Sequence, residues 1–146
     1  MQSLVLFREK MNLQDKVTII LVTSPIVSHP NCELIEKVVD SFKLVRDLSS
    51  CKLLIIADGV KIGNFKPKKG SVPEDMVENY NLYLETLQHK ISKSDQESIW
   101  YRTEVIKLPH HVGFGHAVYH ALKLCQTEYV LVVQHDHPFS CTFRYI

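Results

Sequence analysis

Apolar residues follow two patterns along the chain, short uninterrupted runs and longer stretches with helical spacing. The runs VTIILVTSPI at residues 17–26, KLLIIA at 52–57 and VLVV at 130–133 are continuous and rich in β-branched residues. Such runs predict strands that are buried on both faces of a sheet. A fourth segment, YRTEVIKL at residues 101–108, alternates weakly and predicts another strand, the third in chain order.

Three amphipathic helices are predicted between these strands. The first follows Asn31, which can cap it, within residues 33–48. Its apolar positions recur at spacings of three and four: Ile35, Val38, Val39, Phe42 and Val45. The second begins after Pro73 and has one apolar stripe: Met76, Tyr80, Tyr83, Leu84, Leu87 and Ile91. The third covers residues 113–125, with Val118, Leu122 and Cys125 on its apolar side.

Alternation of strands and helices implies right-handed crossovers and a mainly parallel sheet covered on both faces. We therefore expect an α/β fold, a three-layer α/β/α sandwich with Rossmann-like connectivity. One domain is expected over residues 1–146, with its core at residues 17–139. Ligands of such sheets bind outside the carboxyl ends of the strands, so the residues that follow each strand are the first candidates for a site.

The balance of charged residues, the cysteines and the lengths of the apolar runs indicate which partners and which cell compartment to expect. The chain has 17 Lys and Arg against 16 Asp and Glu, a net charge of +1, whereas duplex-binding proteins carry a strong basic excess. Nucleic acid is therefore not expected as a partner. The four cysteines form no C-x-x-C pair and are expected to be free thiols. No signal peptide and no apolar span of about 18 residues is visible, so we expect a cytoplasmic protein without a membrane span.

Polar side chains follow three of the four predicted strands. They are Thr23 and Ser24, then Asp58, and then His135, Asp136 and His137. A carboxylate at the end of a buried strand is partly desolvated and needs a partner. A divalent cation shared with a phosphate ligand is one such partner, with the two histidines as further ligands. Alternatively, Asp136 braces the turn before Pro138 while the histidines face water.

The third helix opens with Gly113-Phe114-Gly115-His116. Two glycines allow close approach of a ligand, and a helix N-terminus favours an anion; alternatively, they ease a tight turn. The dinucleotide motif G-x-G-x-x-G is not matched, because Val118 occupies the position of its third glycine. The segment also follows the third strand, whereas the motif follows the first strand. A nicotinamide cofactor is therefore not expected.

Three further features each have two interpretations. His116 and His120 share a helix face, as a zinc pair would, but Ala117 replaces the glutamate of H-E-x-x-H. The alternative is a solvated face. Asp58 with Gly59 forms either a turn or a contact to a ribose or base. Four lysines either approach a diphosphate or belong to a solvated loop: Lys61, Lys66, Lys68 and Lys69.

In the order of these pieces the chain resembles the nucleotide-binding half of GT-A-type glycosyltransferases. It is similar to the large family that includes the synthases of cellulose, chitin and hyaluronan. The matching pieces are VTIILVTSPI, the aspartate of LLIIADG, the helix GFGHAVYHALKLC and a strand ending in a D-x-D-like motif. The resemblance covers most of residues 17–139 and implies a nucleotide-diphospho-sugar transferase fold.

The resemblance implies inverting transfer of a sugar from a nucleotide-diphospho-sugar to an acceptor that the sequence does not identify. It assigns Asp136, together with His135 and His137, to a Mn²⁺ or Mg²⁺ ion on the diphosphate. It places the following residues near the nucleoside and sugar: Thr23, Ser24, Pro25, Asp58, Gly113, Gly115 and His116.

The chain departs from the family pattern in three ways. Gln134 replaces the first acid of D-x-D, and Ala117-Val118-Tyr119 replaces an Ala-Arg-Asn triplet. The acceptor-binding half, which carries the catalytic general base, is absent, so the fold is expected to be truncated. We therefore expect weak donor binding or none, little turnover, and association through an unfinished sheet.

Two alternatives to a glycosyltransferase stay open. One is a non-catalytic nucleotide-binding or scaffold module of the same fold. The other is a zinc-dependent hydrolase that uses the His-Asp-His segment and the H-x-x-x-H pair.

Overall fold

The structure is a computed structural model that describes residues 12–142, with the side chain of Pro67 excepted. Its helices and strands in chain order are α1 (Leu13–Lys16), β1 (Val17–Thr23), α2 (Glu33–Ser41), β2 (Lys52–Ala57), β3 (Lys61–Ile62), β4 (Ser71–Val72), α3 (Glu74–Ser92), β5 (Thr103–Lys107), α4 (Phe114–Leu122) and β6 (Tyr129–Gln134). Among the described helices, none combines the length and apolar composition that crossing a bilayer requires.

The main sheet has four parallel strands in the order β5-β2-β1-β6. β1 lies near the centre and pairs with β2 from Thr18 opposite Lys52 to Thr23 opposite Ala57. On its other side β1 pairs with β6, with Val22 opposite Gln134. The predicted α/β class and parallel sheet are confirmed.

The chain moves outward from β1 to β5 and then returns to the far side of β1, so the strand order reverses between β1 and β6. Ligands of this architecture bind at such a point.

Helices flank the sheet because alternate side chains of the central strands are apolar on both faces. Ile19 and Leu21 of β1 pack with α2 and α3, together with Phe42, which directly follows α2 and is fully buried, and Tyr83 of α3, which is 1% exposed. Ile20 and Val22 face the other way and pack with α4. Complete burial of each such aliphatic side chain contributes roughly 1.5–3 kcal/mol. Helices therefore pack on both faces of the sheet, and this packing fixes the positions of the carboxyl ends of its strands.

Helix boundaries and faces differ from expectation in α2 and in α4, which ends at Leu122 and not at residue 125. The N-cap of α2 is Cys32 and not Asn31, although Asn31 Oδ1 accepts from the Glu33 N–H at 2.6 Å, and α2 ends at Ser41 instead of continuing to residue 48. In α4, the side toward the sheet is formed by Ala117 and Ala121, and Leu122 is 43% exposed. The expected apolar side was wrong at Leu122. The small alanine side chains let the backbone of α4 approach the sheet closely, and Leu122 lies on the side of the helix away from this contact.

The fourth predicted strand is not buried on both faces, which corrects that prediction. β6 is an edge strand, and Val130 and Val132 are 38% and 37% exposed. Only its alternate residues, Leu131 and Val133, pack against the core. Within residues 12–142, the outer edge of β6 pairs with no further strand. The strand contains no charged residue or proline, features that commonly discourage edge-to-edge pairing, so association through this edge stays a prediction.

Candidate functional site

The ends of β1, β2 and β6 meet at one edge of the sheet. The Asp58 N–H donates to the Thr23 carbonyl at 2.9 Å, which joins the residues that follow β1 and β2. His135 Nδ1 lies 3.3 Å from the Val22 carbonyl oxygen, which joins the residue after β6 to β1. The parallel arrangement therefore brings the three polar sets from the sequence together, at an edge that we call the carboxyl edge.

Asp58 is buried, and its carboxylate is occupied by the protein itself. Oδ1 accepts from the N–H groups of Gly59 and Val112, each at 2.9 Å. Oδ2 accepts from the Gly113 N–H at 3.0 Å and lies 2.8 Å from His111 Nδ1. These four contacts hold the segment that leads into α4. Asp58 acts as a brace, and a ribose or base could use its oxygens only by displacing one of these donors.

The two glycines that open α4 both have open space beside them but differ in backbone conformation. Gly113 has φ +78°, a left-handed conformation that favours glycine, and its N–H bonds to Asp58. This supports the tight-turn interpretation at Gly113. A Cβ at Gly115 would meet nothing within 4 Å, and His116 beside it is exposed. These two residues leave open space at the start of α4.

The side-chain hydroxyl of Thr23 is also hydrogen-bonded within the protein. Its hydroxyl lies 3.0 Å from the Tyr83 hydroxyl, and its side chain is fully buried. Tyr80 donates through its hydroxyl to the carbonyl oxygens of Thr23 and Asp58, at 3.3 and 3.1 Å. The hydroxyl groups of the two tyrosines of α3 therefore hold the carboxyl ends of β1 and β2 in place by hydrogen bonds. Ser24 and Pro25, which follow, are partly exposed at the edge.

His29 completes this buried layer, and the sequence analysis did not identify it. Its ring stacks on Tyr83 with centroids 3.9 Å apart, and on Tyr80 at 5.4 Å. Nδ1 accepts from the Ile26 N–H at 3.3 Å, which secures the loop after β1. Burial, with a smaller contribution from His135, lowers the pKa of His29 to about 4. The ring is therefore neutral at pH 7 and can accept this bond.

The His-Asp-His segment combines one partly buried and two exposed side chains. Burial lowers the pKa of His135, although the nearby Asp136 carboxylate opposes the shift. Asp136 Oδ1 lies 2.8 Å from His137 Nδ1, and these side chains are 48% and 71% exposed. Just beyond, the Phe139 N–H donates to the Ser41 hydroxyl at 2.9 Å. The segment is thus fixed at both ends, with Asp136 accessible from solvent.

These side chains fit a divalent cation only if a ligand completes its coordination. Within residues 12–142, no group of three or more His, Cys, Asp and Glu side chains is arranged to hold a metal. Magnesium sites on phosphates commonly use one or two carboxylates together with phosphate oxygens and water. Asp136 can supply one such carboxylate. Within the same described residues, His116 and His120 form no such group with His135 or His137, and the zinc-hydrolase alternative stays a prediction.

Among the cavities formed by residues 12–142, two lie at opposite ends of the strands of the main sheet. One of about 150 Å³ is at the carboxyl ends of β2 and β5, lined in part by Tyr80, Asn81 and Lys107. A larger one of about 390 Å³ lies at the amino ends of β2 and β5, which we call the amino edge, beside the Lys52–Glu104 ion pair. Ligands of parallel α/β sheets bind at the carboxyl edge, so the smaller cavity is the candidate. Its size suits one ring of a larger ligand, and neither Asn81 nor Lys107 was predicted from the sequence.

A comparison with protein-family models matches none to this chain, and a comparison with curated proteins likewise gives no match. The functional conclusion therefore depends on the geometry of the carboxyl edge.

Proposed function

We propose that the chain is the donor-binding part of a metal-dependent glycosyltransferase, and that it binds a nucleotide-diphospho-sugar along the carboxyl edge. One observation carries the proposal. The strand order reverses between β1 and β6, with Asp136 directly after β6, while a ring-sized cavity lies at the end of β2 on the other side of β1. A base site and a phosphate site are thus separated by one strand.

The spacing of these two places suits a nucleoside diphosphate. Neighbouring strands lie about 4.8 Å apart, so the ends of β2 and β6 are separated by roughly 10 Å. An extended nucleoside diphosphate bridges such a distance from its base to its outer phosphate. In this arrangement Asn81 offers both donor and acceptor groups to the base, and Lys107 adds a positive charge. Ser24 and Pro25 directly follow β1, the strand that lies between β2 and β6.

At the phosphate end, the chain contributes a carboxylate and two imidazoles. A bound Mn²⁺ or Mg²⁺ ion would neutralise charge on the departing diphosphate. Asp136 would supply an anionic oxygen, which His137 orients through their 2.8 Å contact. His135 is held against β1, and the lowered pKa keeps its ring neutral at pH 7. Because Gln134 is uncharged, this site holds a cation together with diphosphate and not alone.

The chemistry that follows is direct displacement at the anomeric carbon, with inversion. The chain binds the donor, orients it and stabilises the leaving group electrostatically. We assign the general base that activates the acceptor hydroxyl to no residue of this chain.

A nucleotide-binding module without transfer activity is the second candidate. It is favoured because Gln134 replaces the first acid of the D-x-D motif, and because no residue of this chain is assigned as the general base. The two candidates differ in turnover: a transferase releases nucleoside diphosphate from its donor over time, whereas a module binds the donor and leaves it intact.

Calorimetric titration with several nucleotide-sugars tests the proposal. We expect saturable binding that requires Mn²⁺, and we expect Asp136→Asn to weaken it by roughly tenfold to a hundredfold, the value of a lost charge-assisted contact. Asp40→Asn, an exposed aspartate at the end of α2, is the matched control and should bind as the unaltered chain does. Equal Mn²⁺-dependent affinity of the Asp136→Asn variant would reject the role of Asp136.

A further inference from the structure

Between β2 and α3 the chain leaves the sheet and forms a compact loop of residues 61–72, which we call the basic loop. Short parallel strands β3 and β4 pair at its base. The Lys61 N–H donates to the Gly70 carbonyl at 3.0 Å, and the Gly63 N–H donates to the Val72 carbonyl at 2.9 Å. At the tip, the Lys66 N–H donates to the Ser71 carbonyl at 2.8 Å. The loop therefore has its own hydrogen bonds, as compact surface loops with a function commonly do.

The base of the loop is fixed to the carboxyl edge. Gly70 has φ +66°, and a Cβ there would collide with the ring of His111, so the loop packs directly on that ring. His111 in turn contacts Asp58 at 2.8 Å. Val72 is 3% exposed and anchors the second strand of the loop. The loop is thus held in a defined position relative to the candidate site.

The surface of the loop is strongly positive. It contains no acidic residue, and it exposes four lysines: Lys61, Lys66, Lys68 and Lys69. In the part of the chain that the structure describes, none of the four forms an ion pair. Outside the loop, acidic residues outnumber basic ones. The loop therefore carries an excess of positive charge, whereas the rest of the chain has a net negative charge.

Two bulky apolar side chains are exposed among these lysines. Ile62 is 69% exposed and Phe65 is 50% exposed. Lysines beside an exposed aromatic and an aliphatic side chain are typical of surfaces that enter the interface of an anionic bilayer, where the charges meet headgroups and the apolar groups enter the acyl boundary. Nucleic acid fits this surface less well, because Ile62 cannot stack on bases and the rest of the chain repels a polyanion.

We propose that the basic loop binds an anionic lipid surface, with Phe65 and Ile62 inserted at the interface. Because His111 connects the loop to Asp58, docking would place the carboxyl edge beside the bilayer. This proposal is independent of nucleotide binding and is tested without nucleotide.

Co-sedimentation with vesicles tests the lipid proposal. We expect the chain to bind phosphatidylcholine vesicles that contain phosphatidylserine, and not phosphatidylcholine alone. Lysines near such a surface each contribute several-fold to affinity, so Lys68→Glu with Lys69→Glu should lower it by at least about tenfold. Phe65→Ser should lower it several-fold through lost insertion. High salt should release the unaltered chain, because it screens these charges.

Lys43→Glu with Lys93→Glu is the matched control, since both lysines are exposed outside the loop and the net charge changes equally. This control should retain binding within about twofold, as expected for lysines that lie away from the surface. Circular dichroism confirms the folding of each variant, and the salt titration of the unaltered chain needs no variant. Equal loss in the control pair, or binding that ignores phosphatidylserine and salt, would overturn the proposal. Retention on heparin or RNA without binding to vesicles would also overturn it.

Discussion

Replacement of Asp58 by alanine is expected to lower the free energy of unfolding by about 3–5 kcal/mol, the usual cost of removing one member of a buried charged network. The loss is large because the carboxylate accepts from three backbone N–H groups and contacts His111. Without it, donors on two separate segments lose their acceptor in a place that little water reaches. Urea denaturation followed by circular dichroism measures the change.

The matched control is Asp95→Ala. Asp95 also accepts backbone N–H groups, from Glu97 and Ser98, but it lies in an exposed loop where water replaces it. Its removal should cost no more than about 1 kcal/mol. If Asp58→Ala were as stable as the unaltered chain and had lost only nucleotide affinity, the role of Asp58 as a brace would be wrong, and a direct ligand contact would replace it.

Acidification is expected to produce the second large effect, through His29. Its pKa is about 4 in the folded chain against 6.5 for an ordinary histidine. Between these values the unfolded chain binds the extra proton and the folded chain does not, so stability rises with pH in this window. It should be highest above pH 6.5 and fall progressively toward pH 4, by at most about 3 kcal/mol from this residue. Burial lowers the pKa of His135 in the same direction and adds to the effect.

The variant His29→Phe isolates this contribution, because phenylalanine retains the aromatic contact with Tyr83 but cannot titrate. Its stability at pH 7 should be lower, since the Ile26 N–H loses its acceptor. Its stability should nevertheless change less between pH 7 and pH 4.5 than that of the unaltered chain, by about 2 kcal/mol. Urea denaturation at the two pH values gives both slopes, and equal slopes would show that His29 is not the titrating group.

The architecture could be predicted from the sequence because its determinants are local. Continuous β-branched runs give strands, and spacings of three and four give helices. The regular alternation of the two then restricts the connections to a parallel sheet. Convergence of Thr23, Asp58 and Asp136 at one edge follows from parallel strands alone, without knowledge of any contact.

Other features depend on residues that are far apart in the chain. VLVV at residues 130–133 resembles the central strands in composition, and only the strand order shows that it lies at the edge. Asp58 receives two of its three N–H donors, Val112 and Gly113, from positions more than fifty residues later. His29 is buried because Tyr83 lies beneath it, which no local pattern at residue 29 indicates.

The most direct test of the central claim is to locate a nucleotide-bound Mn²⁺ ion by nuclear magnetic resonance. Amide signals of the chain are recorded with Mn²⁺ alone and then with Mn²⁺ and saturating uridine, guanosine or adenosine diphosphate. We expect nucleotide-dependent broadening centred on residues 23–24 and 135–137, at the point where the strand order reverses. Broadening centred instead on Lys52 and Glu104 at the amino edge, or on His116 and His120 along α4, would contradict the account.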